Sequence, residues 1–149
     1  MATIRLAPDF KEFLRLLCSA KIEYLLIGGY AVGHYGYPRA TGDLDIWVAT
    51  SHENAHRLVA ALRQFGFDVP ELRAELFHEP GHVVRMGLPP VRLEILTSID
   101  GVKFQDCYHR RLTAEIDGVE VEIIGLDDLK VNKKASGRHQ DLDDLEHLP

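Results

Sequence analysis

Two aspartates one residue apart lie in a short segment that otherwise favours a buried strand. Residues 41–48 read Thr-Gly-Asp-Leu-Asp-Ile-Trp-Val, so Asp43 and Asp45 alternate with aliphatic residues after a glycine. Side chains two residues apart on a strand point to the same face of the sheet. The pattern therefore predicts that both carboxylates project together, while the intervening apolar side chains face a core.

Adjacent carboxylates repel each other and raise each other's pKa, and a divalent cation bound between them removes this cost. Mg²⁺ suits such a pair, because it prefers hard oxygen ligands and commonly takes one or two carboxylates together with substrate phosphates. A solvated strand edge is the alternative interpretation of an isolated Asp-x-Asp pattern. The neighbouring segments favour the metal site.

A glycine pair precedes the aspartates. Four apolar residues, 24–27, lead into Gly28-Gly29 and then into a helix-like stretch that ends near residue 35. Glycines let a phosphate approach the backbone, and the free N–H groups at a helix N-terminus favour negative charge. The alternative is a tight strand-to-helix turn without a ligand.

A third acid follows in residues 91–96, where Glu94 lies in an otherwise mostly apolar predicted strand. It is expected on the face opposite Leu93 and Ile95. A lone acid in such a strand usually forms a salt bridge or faces solvent. Beside an Asp-x-Asp strand, a role as metal ligand or base is the preferred interpretation.

The last part of the chain predicts two helices. Residues 125–137 begin with acids, end with bases and stop at Gly137, which complements the helix dipole. A second short helix follows from residue 138 to about residue 145. A solvated helix face is the interpretation that these residues alone support for Lys133 and Asp141.

Taken in order, these segments resemble the signature of nucleotidyltransferases of the DNA polymerase β type, and more narrowly of AbiEii-like toxins of abortive-infection systems. The resemblance covers residues 22–48 and 91–146. It implies an α/β (α+β) fold with a short mixed sheet flanked by helices. It also implies Mg²⁺-dependent transfer of a nucleoside monophosphate from an NTP, such as ATP, to a hydroxyl acceptor.

The resemblance also assigns residues. Gly28 and Gly29 would open a helix under the triphosphate, and three carboxylates would hold two Mg²⁺ ions: Asp43, Asp45 and Glu94. Lys133 would contact a phosphate with Asp141 as its partner. The remaining two assignments concern the loop: Arg39 either neutralises phosphate charge or braces the loop, and Thr41 braces it locally. The family more often has Asp at the position of Glu94.

The resemblance implies a tRNA or protein acceptor and a toxin that works with a cognate antitoxin or partner protein. A non-catalytic, nucleotide-binding, antitoxin-like subunit is one alternative, favoured by the Glu94 departure. A nucleotidyltransferase that modifies a small hydroxylated compound such as an antibiotic is another.

Length and charge limit the number of domains and the kinds of binding partner that this chain can have. The 149 residues are expected to form one domain, 1–149, and the net charge of −6 argues against indiscriminate binding to nucleic-acid backbone. Sequence-specific DNA binding is not expected either. No apolar run is long enough to span a membrane, and the N-terminal residues lack the apolar core of a secretion signal, so a cytoplasmic protein is expected.

Three further features lead to predictions. Cys18 is expected in the core and Cys107 in a polar segment, without a disulfide. Asp117-Gly118 predicts a hairpin. Residues 52–56 match the His-Glu-x-x-His zinc pattern, but they follow a helix cap, and an exposed helix start is the preferred interpretation.

Overall fold

A mixed β-sheet organises the chain. The computed structural model describes residues 4–39 and 41–149, and the first three residues of the N-terminal segment considered above lie outside them. The strands are β1 (Tyr24–Ile27), β2 (Asp43–Val48), β3 (Val83–Leu88), β4 (Val91–Leu96), β5 (Leu112–Ile116) and β6 (Val119–Ile123). The helices are α1 (Pro8–Ser19), α2 (Gly28–His34), α3 (His52–Phe65), α4 (Phe104–His109), α5 (Leu126–Ser136) and α6 (His139–His147).

The six strands form one sheet in the order β3-β4-β2-β1-β6-β5. β2 pairs with β4 and β1 pairs with β6 in parallel, whereas the other neighbours are antiparallel. Helices flank the sheet, so the predicted α/β (α+β) class with a short mixed sheet is confirmed. β2, which carries the aspartate pair, lies inside the sheet between β4 and β1.

The core consists of the apolar faces of the helices packed on this sheet. In α1 the buried residues recur at helical spacing, at Phe10, Phe13, Leu14 and Leu17. The predicted cap of α3 is present, because the Ser51 hydroxyl accepts a hydrogen bond from the backbone N–H of the third helical residue at 3.2 Å. The hairpin predicted at Asp117-Gly118 joins β5 to β6.

The core position predicted for Cys18 is wrong, and the cysteine in the polar segment is the buried one. Cys18 is exposed and Cys107 is buried. Cys18 directly follows Leu17, and one helical residue is a rotation of about 100°, which takes it off the buried stripe of α1. Cys107 belongs to α4, a six-residue helix that the sequence did not predict and whose buried residue it is.

No helix among residues 4–39 and 41–149 combines the length and the apolar character that crossing a bilayer requires.

Candidate active site

Three acidic side chains converge on one face of the sheet. Asp43 and Asp45 occupy alternate positions of β2, and the parallel register of β2 with β4 sets Asp45 opposite Glu94. One carboxylate oxygen from each residue lies within 4.8 Å of the other two. The structure therefore brings together the three carboxylates that the sequence analysis selected. We call them the carboxylate trio.

The middle member of the trio has the most unfavourable charge environment. Burial, together with the charges of Glu94 and Asp43, raises the pKa of Asp45 to about 7. The outer two have arginine partners: Arg92 donates two hydrogen bonds to Asp43, and Arg85 contacts Glu94 at 3.4 Å. Among the described residues no arginine forms an ion pair with Asp45. A cation bound at the trio would remove this excess of negative charge.

The chemistry of the trio fits magnesium. All three ligand candidates are carboxylate oxygens, the hard donors that Mg²⁺ prefers. Oxygens that share one Mg²⁺ lie about 3–4 Å apart, and the three carboxylate oxygens already lie within 4.8 Å of one another, so small side-chain rotations suffice. Asp43, Asp45 and Glu94 are therefore the residues that would hold the ion.

The glycine pair lies directly against the trio. Gly28 has φ +68°, and a Cβ atom built there would come 2.0 Å from Oδ2 of Asp45. A Cβ on Gly29 would come 2.8 Å from Cβ of Thr41. Any larger residue at either position would therefore displace Asp45 or Thr41, and the positive φ independently favours glycine at position 28. Thr41 also donates a hydrogen bond to the backbone oxygen of Asp43 at 3.3 Å, which agrees with its predicted bracing of the loop.

A buried network of charges lies across the cleft from the trio. The residue Lys133 is 5% exposed. Its amine contacts Asp141 Oδ1 at 3.1 Å and Asp144 Oδ2 at 3.0 Å. Arg39 donates two hydrogen bonds to Asp144, Nε–Oδ1 at 2.8 Å and Nη2–Oδ2 at 3.0 Å. The predicted contact between Lys133 and Asp141 is present. We call these four residues the lysine network.

Hydrogen bonds keep the acids of the lysine network ionised. Burial alone would raise the pKa of Asp141, but hydrogen bonds from Arg138, Ser136 and Lys133 outweigh it and hold the pKa well below its usual range. The pKa of Asp144 is also lowered, because the hydrogen bonds from Arg39 and Lys133 outweigh its burial. These two anions fix the Lys133 amine in place.

Two clefts meet at the trio and share Gly28, Asp45, Glu94, Lys133 and Arg138. The glycine-side cleft has a volume of about 430 Å³ and is also lined by Gly29, Arg39, Thr41, Asp43, Arg92 and Gln140. The β3-side cleft has a volume of about 350 Å³ and is also lined by Val83, Arg85, Leu96, Ser98, Asn132 and Ser136. A ligand in one cleft would thus meet a ligand in the other at the carboxylates.

The His-Glu-x-x-His pattern lies elsewhere, at the start of α3. His52 and His56 are exposed, and His78 stacks on His52 with ring centroids 4.1 Å apart and planes 7° apart. A metal lies in the plane of each imidazole that binds it, so parallel stacked rings do not share an ion. Among the described residues, the carboxylate trio is the group that brings ligand atoms together.

Sequence reasoning missed three charged residues of the site. Asp144 holds both Lys133 and Arg39, and its only local signal is its position three residues after Asp141 on α6. Arg92 lies two residues before Glu94, so the same strand alternation that selected Glu94 also directs Arg92 towards the aspartates. Arg138 contacts Asp141 at 2.8 Å.

Comparisons with known proteins identify a family and two similar folds. The model of the family described as "Nucleotidyl transferase of unknown function (DUF2204)" matches residues 7–149. A candidate nucleotidyltransferase from Thermotoga maritima has a similar structure, with TM-score 0.66 and 16% identity over 95% of this chain and 93% of that one. An antigenic nucleotidyltransferase-like protein from Paracoccidioides brasiliensis has TM-score 0.55 and 21% identity over 95% and 76%. No curated protein sequence matches the chain significantly.

Proposed function

Because the chain belongs to the DUF2204 family of nucleotidyl transferases, we propose that it moves a nucleoside monophosphate from an NTP, with ATP among the candidates, to a hydroxyl acceptor with Mg²⁺. The observation that carries this proposal is the convergence of the carboxylate trio beside a glycine pair that only glycine fits. Polymerase β-type chemistry needs these elements side by side: oxygen ligands for the metal and an open backbone for the phosphates.

The triphosphate binds in the glycine-side cleft. Gly28 and Gly29 line this cleft at the start of α2, where no side chain among the described residues caps the first turn. Lys133 lines the same cleft, and its amine, held by two buried carboxylates, supplies the positive charge for a phosphate oxygen. Arg39 is bound on two nitrogens by Asp144, which favours the bracing role over the phosphate role.

Asp43, Asp45 and Glu94 hold Mg²⁺, which when bound neutralises phosphate charge and lowers the pKa of the acceptor hydroxyl. Asp45 and Glu94 line both clefts, so the metal site would lie between the acceptor and the α-phosphorus. The acceptor lies in the β3-side cleft. Its oxygen forms a bond to the α-phosphorus, its proton leaves to solvent, and the bond from the α-phosphorus to the bridging oxygen breaks to release pyrophosphate.

A macromolecular acceptor, RNA or protein, is the favoured class. Arg85 and Arg138 line the β3-side cleft with 58% and 78% of their side chains exposed, which suits the phosphates of an RNA acceptor such as tRNA. The resemblance to AbiEii-like toxins supports a toxin role with a cognate antitoxin as partner.

A small hydroxylated acceptor, such as an antibiotic, is the second candidate. The observation that favours it is the volume of the β3-side cleft, about 350 Å³, which falls in the range of small-molecule sites. A non-catalytic nucleotide-binding subunit is the third, and the contact of Glu94 with Arg85 favours it, because this contact competes with metal ligation.

The test is incubation with each α-labelled NTP, Mg²⁺ and either total cell RNA, cell protein or hydroxylated small molecules. We expect label in RNA or protein and release of pyrophosphate, both abolished by EDTA. Label only in small molecules would select the second candidate. Nucleotide binding without pyrophosphate release in any mixture would select the non-catalytic subunit and contradict the enzymatic proposal.

A further inference from the structure

Arg92 forms an ion pair with Asp43 at the centre of the site, and the proposed reaction gives this arginine no role. It lies on β4 directly opposite Asp43 on β2. Its Nε donates to Oδ1 of Asp43 at 2.9 Å and its Nη2 donates to Oδ2 at 3.0 Å. Both oxygens of one predicted metal ligand are therefore occupied by a single guanidinium.

We propose that Arg92 is a phosphate-binding residue of the nucleotide site, which Asp43 holds until a divalent cation takes over its carboxylate. The inference rests on the proposed function. A cation that ligates Asp43 competes with Arg92 for the two carboxylate oxygens, and it neutralises the charge that attracts the arginine. Metal binding therefore favours release of the guanidinium.

The surroundings determine where the released guanidinium goes. Arg92 lines the glycine-side cleft together with Gly28, Gly29 and Thr41, and its side chain is 34% exposed. A triphosphate in that cleft presents oxygens within reach of the same strand. Guanidinium groups bind phosphate through two parallel hydrogen bonds, the arrangement that Arg92 already makes with a carboxylate. Nucleotide oxygens thus replace Asp43 as the acceptors.

Arg85 provides a matched comparison on the neighbouring strand. It contacts another member of the trio, Glu94, but only through one Nε–Oε2 contact at 3.4 Å. It lines the β3-side cleft and not the glycine-side cleft. Loss of Arg85 removes a similar charge near the trio without removing a group from the nucleotide cleft.

The experiment measures Mn²⁺ binding by electron paramagnetic resonance, and inorganic triphosphate binding by calorimetry with and without Mn²⁺. For Arg92→Ala we expect Mn²⁺ to bind about tenfold more tightly and triphosphate with Mn²⁺ to bind about tenfold more weakly, the effect of one charge-assisted hydrogen-bonding group. Arg85→Ala should weaken triphosphate binding less than Arg92→Ala does, because Arg85 lies outside the glycine-side cleft. Asp43→Asn should increase triphosphate affinity in EDTA, because it frees Arg92 without a cation.

The Mn²⁺ and triphosphate affinities of Arg92→Ala are expected to change in opposite directions, and this distinguishes phosphate binding by Arg92 from positioning of Asp43. If Arg92→Ala weakens Mn²⁺ binding and leaves triphosphate affinity unchanged, Arg92 only positions Asp43 and the inference is overturned. Arg92→Lys keeps the charge and guards against a folding defect, and we expect it to fall between wild type and alanine in both measurements. If wild-type protein binds no triphosphate with Mn²⁺, the proposed function fails as well, whereas wild-type binding that Arg92→Ala retains overturns this inference alone.

Discussion

The carboxylate trio and the lysine network are two groups of acids that face the same clefts with opposite charge balance. In the trio, the pKa of Asp45 is raised to about 7, chiefly by burial and then by Glu94 and Asp43. In the lysine network, the pKa values of Asp141 and Asp144 are lowered although both residues are at most 1% exposed. Burial alone therefore does not determine whether a carboxylate in this site stays ionised.

Hydrogen-bond donors make the difference. Asp144 accepts from Arg39, Lys133 and Gln140, so its charge is balanced inside the protein. Asp45 faces two other carboxylates and a glycine backbone, and the charges of Lys133 and Arg39 offset only part of the resulting pKa rise, so a bound cation would balance its charge. The network is thus a completed structural element that presents one lysine, and the trio is an incomplete one that becomes stable with metal.

The largest expected effect comes from Asp45→Asn. The amide keeps the shape of the side chain and removes the charge that a metal needs, so we expect transfer from NTP to fall at least about 10³-fold. The measurement is release of labelled pyrophosphate, with circular dichroism to establish that the fold is retained. Asp127→Asn, which changes an exposed aspartate on α5, is the matched control and should keep wild-type turnover. Wild-type turnover in Asp45→Asn would contradict the assignment of the trio.

The second-largest expected effect is a loss of stability when the lysine network is broken. Asp144→Asn leaves Arg39 without its carboxylate partner and Lys133 with one of two, and removing one member of a buried ion pair costs about 3 kcal/mol. We therefore expect the free energy of unfolding, measured in urea at pH 7, to fall by about that amount. Equal stability of Asp144→Asn and wild type would mean that the network does not hold α6 against the loop that carries Arg39.

A smaller effect of opposite sign is expected for Asp45→Asn in EDTA. The pKa of Asp45 in the folded protein, about 7, lies above the ordinary aspartate value of 3.8, so its stabilising contribution is present below about pH 4 and is lost as the pH rises to about 7. The asparagine variant does not titrate there. We expect it to be equally stable near pH 4 and more stable than wild type at pH 8.

Asp141 and Asp144 are present in both proteins, so their contributions cancel in the difference between the unfolding free energies of wild type and Asp45→Asn. The measurement is urea unfolding of the two proteins across the pH range. Saturating Mg²⁺ should reverse the order at pH 8, because it binds the folded wild type and supplies the missing positive charge. If the asparagine variant is the less stable protein in EDTA at pH 8, Asp45 is not the electrostatically unfavourable member of the trio.

Local patterns were sufficient for the parts of the site that lie on strands. Alternation along β2 and β4 places Asp43, Asp45 and Glu94 on one face, and a glycine pair at the end of β1 marks the start of α2. Each of these patterns is complete within a few consecutive residues, so it can be recognised locally. Fold class and the trio could therefore be predicted from the sequence.

The lysine network could not be predicted in the same way. Arg39 and Asp144 are 105 residues apart, and nothing near either residue indicates the other. The resemblance assigned roles to Lys133 and Asp141 and assigned none to Asp144. The same limitation applies to α4, since six residues are too few to show a helical period and its buried residue is a single cysteine.

The smallest effect separates the two roles considered for Arg39. Arg39→Lys keeps the positive charge but replaces a two-nitrogen fork on Asp144 with a single amine, so we expect a loss of about 1 kcal/mol in unfolding free energy. Because Asp144 already occupies Nε and Nη2, the KM for the NTP should change by less than about twofold. Lys133→Arg is the paired variant. It changes the group that lines the cleft, so it should raise the KM for the NTP more than Arg39→Lys does. A large rise in KM for Arg39→Lys at unchanged stability would instead assign Arg39 to the phosphates and leave Asp144 as the residue that positions it.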